Sequence, residues 1–183
     1  MGMTFGSLLK ISFLSSLLFT SNVALSAVIT PQAHAAKAMM VEIIRDNKEL
    51  QFLEGDIDLV WHDYLGSEAA ATKNGGRWEL HMGANFYRDY SSNKSWIALV
   101  VAHELAHMSH GDVSFFPRMA ECFKYPKRCE KQADLKGMQY ANKAGFDGCA
   151  GPSMWEYYIL MHGDKGGPDH PDPSERMEYM RCR

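Results

Sequence analysis

The stretch Trp96-Ile-Ala-Leu-Val-Val-Ala-His-Glu-Leu-Ala-His-Met-Ser-His-Gly111 decides how this chain is read. Its first seven residues are apolar, and the remainder carries three histidines and a glutamate. An α-helix advances about 100° per residue, so positions four apart share a face. His103 and His107 therefore point two imidazoles at one ion, and Glu104 lies beside them without being a ligand itself. Two nitrogen donors and a carboxylate placed to take a proton from water imply a zinc-binding, hydrolytic helix. Three polar groups directly after Ile97 to Val101 are costly unless something pairs them. Asn93 or Ser95 caps this helix, and Gly111 ends it.

A catalytic zinc takes three protein ligands and leaves a fourth position for water. One class of site supplies a third histidine six residues after the second, with a glycine between. Here that position is Val113 and the glycine is Gly111, so that class is excluded. A carboxylate from further along must serve, and Asp112, Glu121, Glu130 and Asp134 are candidates. Glu130 and Asp134 share a helical face. Glu130 on the metal would leave Asp134 to accept a hydrogen bond from a ligand histidine and fix its tautomer.

Working outward, the chain has 183 residues, enough for one domain with a packed core. Hydrophobic residues make up 46% and charged ones 22%, which excludes global disorder. A net charge of -3 gives no argument for nucleic acid or for an anionic membrane surface. Met1 to Lys10 carries one charge, at Lys10; Ile11 to Phe19 is apolar with interspersed serines; small and polar residues follow. That layout predicts a signal peptide over 1–26, cleaved somewhere between 26 and 35, and a single domain over 37–183. The apolar run is too short to span a hydrocarbon core of about 30 Å, and no later stretch does better. The expectation is an exported, periplasmic or secreted protein with no transmembrane segment. Cys122, Cys129, Cys149 and Cys182 fit that route as two disulfides, with Cys122–Cys129 and Cys149–Cys182 favoured.

The apolar spacing predicts an amphipathic helix over Lys37 to Leu53 and a short strand over Arg77 to Met82 after the turn Asn74-Gly75-Gly76. Gly83 to Tyr90 reads as an aromatic loop, Lys127 to Ala144 and Ser153 to Met161 as helices, and Pro173 to Arg181 as a terminal helix. Several helices with one small sheet make an α+β domain. His81, of opposite parity to Trp78, Leu80 and Met82, is expected in solvent, as is His110 at its helix end. His34, His62 and His162 receive no role. Tyr157 and Tyr158 are expected to pack in the core.

Four motifs follow one another: His103-Glu-Leu-Ala-His107-Met-Ser-His-Gly-Asp112, Glu130-Lys-Gln-Ala-Asp134, Ala144-Gly-Phe-Asp147 and His170-Pro-Asp-Pro-Ser-Glu-Arg176. Their order resembles the gluzincin peptidase family of the HtpX heat-shock protease and the CAAX prenyl endopeptidase, especially its soluble periplasmic members. The resemblance covers roughly Trp96 to the C-terminus. It implies a zincin-like fold, Glu130 as third zinc ligand and Asp134 behind a ligand histidine. It also implies His170 at the metal with Arg176 beside it, either stabilising an oxyanion or occluding the zinc. The family's transmembrane helices have no counterpart here, and its upstream Asn-Ala motif and substrate-binding strand are not clearly matched. The resulting expectation is a zinc metalloendopeptidase acting on exported or envelope polypeptides, with Glu104 activating water. A non-hydrolytic, chaperone-like module with an occluded zinc is the alternative.

Overall fold

The computed structural model describes residues 31–62, 69–83, 85, 90, 93–114 and 116–182. The expected signal peptide over 1–26 lies outside the described residues, as does most of the Gly83 to Tyr90 loop. Among the described residues the fold is α+β, mostly helical with one three-stranded sheet.

Helix α1 runs over Pro31–Asp46 and buries Met39, Met40, Ile43 and Ile44. It stops short of Leu53, where the apolar spacing placed its end. Asn47 takes an extended backbone, and its side-chain amide donates to the carbonyls of Ile43 (2.8 Å) and Tyr140 (3.0 Å). A 3-10 turn over Lys48–Leu53 then re-aims Leu50 and Leu53 into the core.

The sheet has the order β1-β3-β2, with β1 Ile57–His62, β2 Ala69–Asn74 and β3 Arg77–Gly83. β3 is central, parallel to β1 and antiparallel to β2. Only β3 was legible beforehand, because it alone alternates cleanly, burying Trp78, Leu80 and Met82. The edge strands bury no residue fully. β2 opens on three alanines, poor strand formers. Asn74 pairs with Arg77 across Gly75 and Gly76, whose φ values of 55° and 92° suit a two-residue hairpin turn.

The remaining elements are α2 Lys94–His110, α3 Phe116–Lys124, α4 Pro126–Lys143, a 3-10 turn Gly148–Ala150, α5 Gly151–His162 and α6 Pro173–Tyr179. Asn93 caps α2, its Oδ1 accepting from the Ser95 amide at 2.9 Å. Gly111, at φ 76°, closes it in the left-handed conformation. Ala98, Ala102 and Ala106 recur every four residues along α2 and are fully buried. Where α2 crosses α4, a Cβ on Gly137 would lie 2.9 Å from the backbone nitrogen of His103. Only glycine permits that approach, and it brings the inner face of α4 against the motif helix. The favoured disulfides, Cys122–Cys129 and Cys149–Cys182, are both formed. Among the described residues no helix is long and apolar enough to cross a membrane.

Candidate metal centre

α2 and α4 supply three donors that converge. His103 Nε2 and His107 Nε2 lie 3.1 Å apart. Glu130 places Oε2 at 3.3 Å from the first and Oε1 at 3.2 Å from the second. Bonds of about 2 Å at tetrahedral angles separate ligand atoms by about 3.3 Å. The triangle therefore fits one small metal ion. Of the four candidate carboxylates, Glu130 is the one in this triangle, one turn before Asp134 on the same face of α4.

Each histidine is held from behind by its own carboxylate. His103 Nδ1 lies 2.9 Å from Asp134 Oδ1. Asp134 accepts from Arg176 Nε at 2.8 Å, from Arg176 Nη2, and from the Tyr179 hydroxyl at 2.5 Å. His107 Nδ1 lies 2.8 Å from Asp112 Oδ2, and Asp112 Oδ1 accepts from Arg118 Nε at 2.6 Å. With Nδ1 donating, each ring turns its Nε2 lone pair toward the convergence point.

The electrostatics follow from this crowding. Burial pushes both imidazoles down, yet the carboxylates outweigh it. Hydrogen bonds to Asp134 and Glu130 raise His103 to about 9, and those to Asp112 and Glu130 raise His107 to about 10. Burial would lift the Glu130 carboxyl, but hydrogen bonds from His103, His107 and His170 hold it well below the usual range. For Asp134, burial is likewise overcome, first by the Arg176 charge and then by His103, leaving it at about 2. A cation at this point competes with protons for the two imidazoles, because only the neutral rings can ligate it.

Glu104 is buried on α2, and its charge acts on His107. His170 comes from the loop before α6, with its side chain 56% exposed, and its Nδ1 reaches Glu130 Oε2 at 3.0 Å. It touches Glu130 from the rim and is not among the converging donors. Arg176 lies behind Asp134, close enough for the Glu130 charge to act on it. Its Nε and Nη2 are given to Asp134, and its flat face stacks on Trp155 at 3.9 Å from the ring centroid.

Searched against models of protein families and against curated proteins, the chain matches none.

Sequence reasoning missed the Asp112–Arg118 support. The signal was present, because Asp112 follows the helix-ending Gly111 and the left-handed turn folds it back toward His107. Arg118 and Gly137 announced nothing by pattern. Two histidines also sit differently from expectation. His110 is partly buried, which lowers its pKa, and its Nδ1 has no hydrogen-bond partner. His81 is partly buried on the sheet, 2.5 Å from His62 Nε2 through Nδ1 and 3.0 Å from both Thr72 and Glu79 through Nε2. Neighbours on β1 and β2 fill the face that strand parity assigned to solvent. Tyr157 and Tyr158 pack against the core as expected.

Proposed function

We propose that the chain is a zinc-dependent metallopeptidase of gluzincin type, with a zincin-like fold, acting on exported or envelope polypeptides. The observation that carries the reading is the triangle of His103, His107 and Glu130 beside a buried Glu104. Two nitrogens and one carboxylate oxygen are the donors of hydrolytic zinc sites, whereas structural sites are usually closed by four protein ligands. His170 bonds to Glu130 rather than joining the donors, which favours hydrolysis over an occluded, chaperone-like module. The order of the four motifs supports the gluzincin assignment. The two disulfides and the expected signal peptide support export.

Zinc held by these three residues supplies Lewis acidity toward the scissile carbonyl and lowers the pKa of water to about 7. Glu104 takes the proton of the attacking water and returns it to the leaving amine. Burial protects it from solvent while it holds that proton. Asp134 and Asp112 keep His103 and His107 in the tautomer that offers Nε2. His170, on the exposed rim, donates to the developing oxyanion.

The test is casein cleavage with and without a chelator, together with metal analysis of dialysed protein. Glu104→Gln is expected to retain one zinc per chain and lose cleavage by at least about a hundredfold. His103→Ala is expected to lose both. Undiminished cleavage by Glu104→Gln would overturn the assignment.

A further inference from the structure

We propose that the Cys149–Cys182 disulfide is a redox-sensitive latch on the candidate metal centre, opened by dithiol reductants. The two disulfides differ in access. Cys149 and Cys182 are both exposed, whereas Cys129 is buried and Cys122 half-buried. Exposed disulfides are the labile and regulatory ones, because exchange begins with a thiolate reaching one of the two sulfurs.

What this disulfide fastens is the C-terminal tail. Cys149 lies in the 3-10 turn that leads into α5, and Cys182 lies three residues beyond the end of α6. α6 has seven residues and buries two of them, Pro173 and Arg176. A helix of that length does not hold its shape alone, so its position depends on what it is docked to. Much of that docking lies beside the disulfide. Met180 is buried next to Gly151, where a Cβ would lie 2.6 Å from Met180 Cε, and its sulfur accepts from Trp155 Nε1 at 3.2 Å. Trp155 also carries the flat face of Arg176.

The effect reaches the metal centre through few residues. Arg176 and Tyr179 donate to Asp134, and Asp134 holds Nδ1 of His103. The Cys149–Cys182 bond spans 33 residues against 7 for Cys122–Cys129, so opening it returns more freedom to the chain. In the exchange, one thiolate of the dithiol attacks an exposed sulfur, and its second thiolate releases the mixed disulfide. The dithiol is oxidised to a disulfide, and its two protons end on Cys149 and Cys182. The oxidised chain is then the form that holds metal tightly, and the reduced chain the loosened one. The latch acts on metal binding by His103, His107 and Glu130, and so depends on that part of the proposed function but not on hydrolysis.

The test is limited reduction of the oxidised full chain with dithiothreitol, followed by iodoacetamide to block the freed thiols. Mass spectrometry should find Cys149 and Cys182 modified before Cys122 and Cys129. Competitive titration of the blocked chain should show zinc bound about tenfold more weakly, with faster hydrogen exchange over residues 173–180. Cys149→Ser with Cys182→Ser should reproduce both changes without reductant and respond no further to it. Zinc affinity indifferent to opening of this disulfide would overturn the proposal, as would earlier modification of Cys122 and Cys129. Faster exchange over 173–180 in a chain that binds no zinc even when oxidised would refute the metal-binding reading and leave the latch on α6 supported.

Discussion

The two histidines of the candidate metal centre are chemically equivalent and structurally unequal. His103 is backed by Asp134, which sits between two helices and receives three donors from Arg176 and Tyr179 on α6. His107 is backed by Asp112 in a turn, with one donor from Arg118 on a helix that contributes nothing to the core. The same carboxylate-to-histidine device is thus built twice on a buried carboxylate, once backed by a buried arginine and a tyrosine and once by a single, less buried arginine. The comparison separates what a positioning carboxylate does for the fold from what it does for the metal.

Removing each carboxylate tests that separation. Asp134→Ala leaves the buried Arg176 cation without its partner, so unfolding free energy should fall by about 3–5 kcal/mol. Zinc affinity should fall by about 10–100-fold as His103 loses its orientation. Asp112→Ala should weaken zinc by about tenfold but stability by only about 1 kcal/mol, since Arg118 can turn to Glu121 and water. Urea unfolding and competitive zinc titration on both variants measure the four values. Equal stability losses would end the comparison.

A smaller effect should follow from opening the Cys122–Cys129 disulfide. It ties α3, which carries Arg118, to the residue preceding Glu130. Cys122→Ser with Cys129→Ser should lower stability by about 2 kcal/mol. The His107 side should loosen with it, weakening zinc severalfold while Asp134 and Arg176 keep His103 in place. Near-UV circular dichroism and zinc titration read the two effects.

The smallest effect belongs to a contact away from both histidines. The Tyr140 hydroxyl donates to Glu49 at 3.0 Å and lies 3.0 Å from Ser109 Oγ. Burial, with Glu49 adding to it against Ser109, raises Tyr140 to about 12. Its unfolded value is about 10, so the folded state keeps the proton longer. The contribution is therefore full below about pH 10 and is lost as pH rises toward 12. Tyr140→Phe should flatten that limb of a stability-against-pH curve and leave zinc affinity within about twofold.

Much of the site was legible in the sequence because metal chemistry constrains spacing. His103 and His107 had to be four apart, and Glu130 and Asp134 one turn apart on a single face, whatever surrounds them. The helices α2, α4 and α5 were legible from periodicity and caps. The edge strands were not, because Ile57 to His62 and Ala69 to Asn74 bury neither face cleanly and so carry no clear alternation. The break in α1 at Asn47 depends on a carbonyl of Tyr140, ninety-three residues away. Gly137 is likewise meaningful only through the backbone of His103, thirty-four residues earlier. No local pattern encodes either partner.

The positions of Arg176 and Tyr179 also bear on biogenesis. Synthesis runs from the N-terminus, and domains begin to organise as they emerge. The motif helix and Glu130 therefore appear well before the residues that hold Asp134. Until α6 has been made, His103 lacks its complete support and Asp134 carries a charge with no arginine against it. Maturation of the centre thus waits on an element translated after α4 and α5, and a nascent chain stopped before residue 176 has only half of its histidine supports.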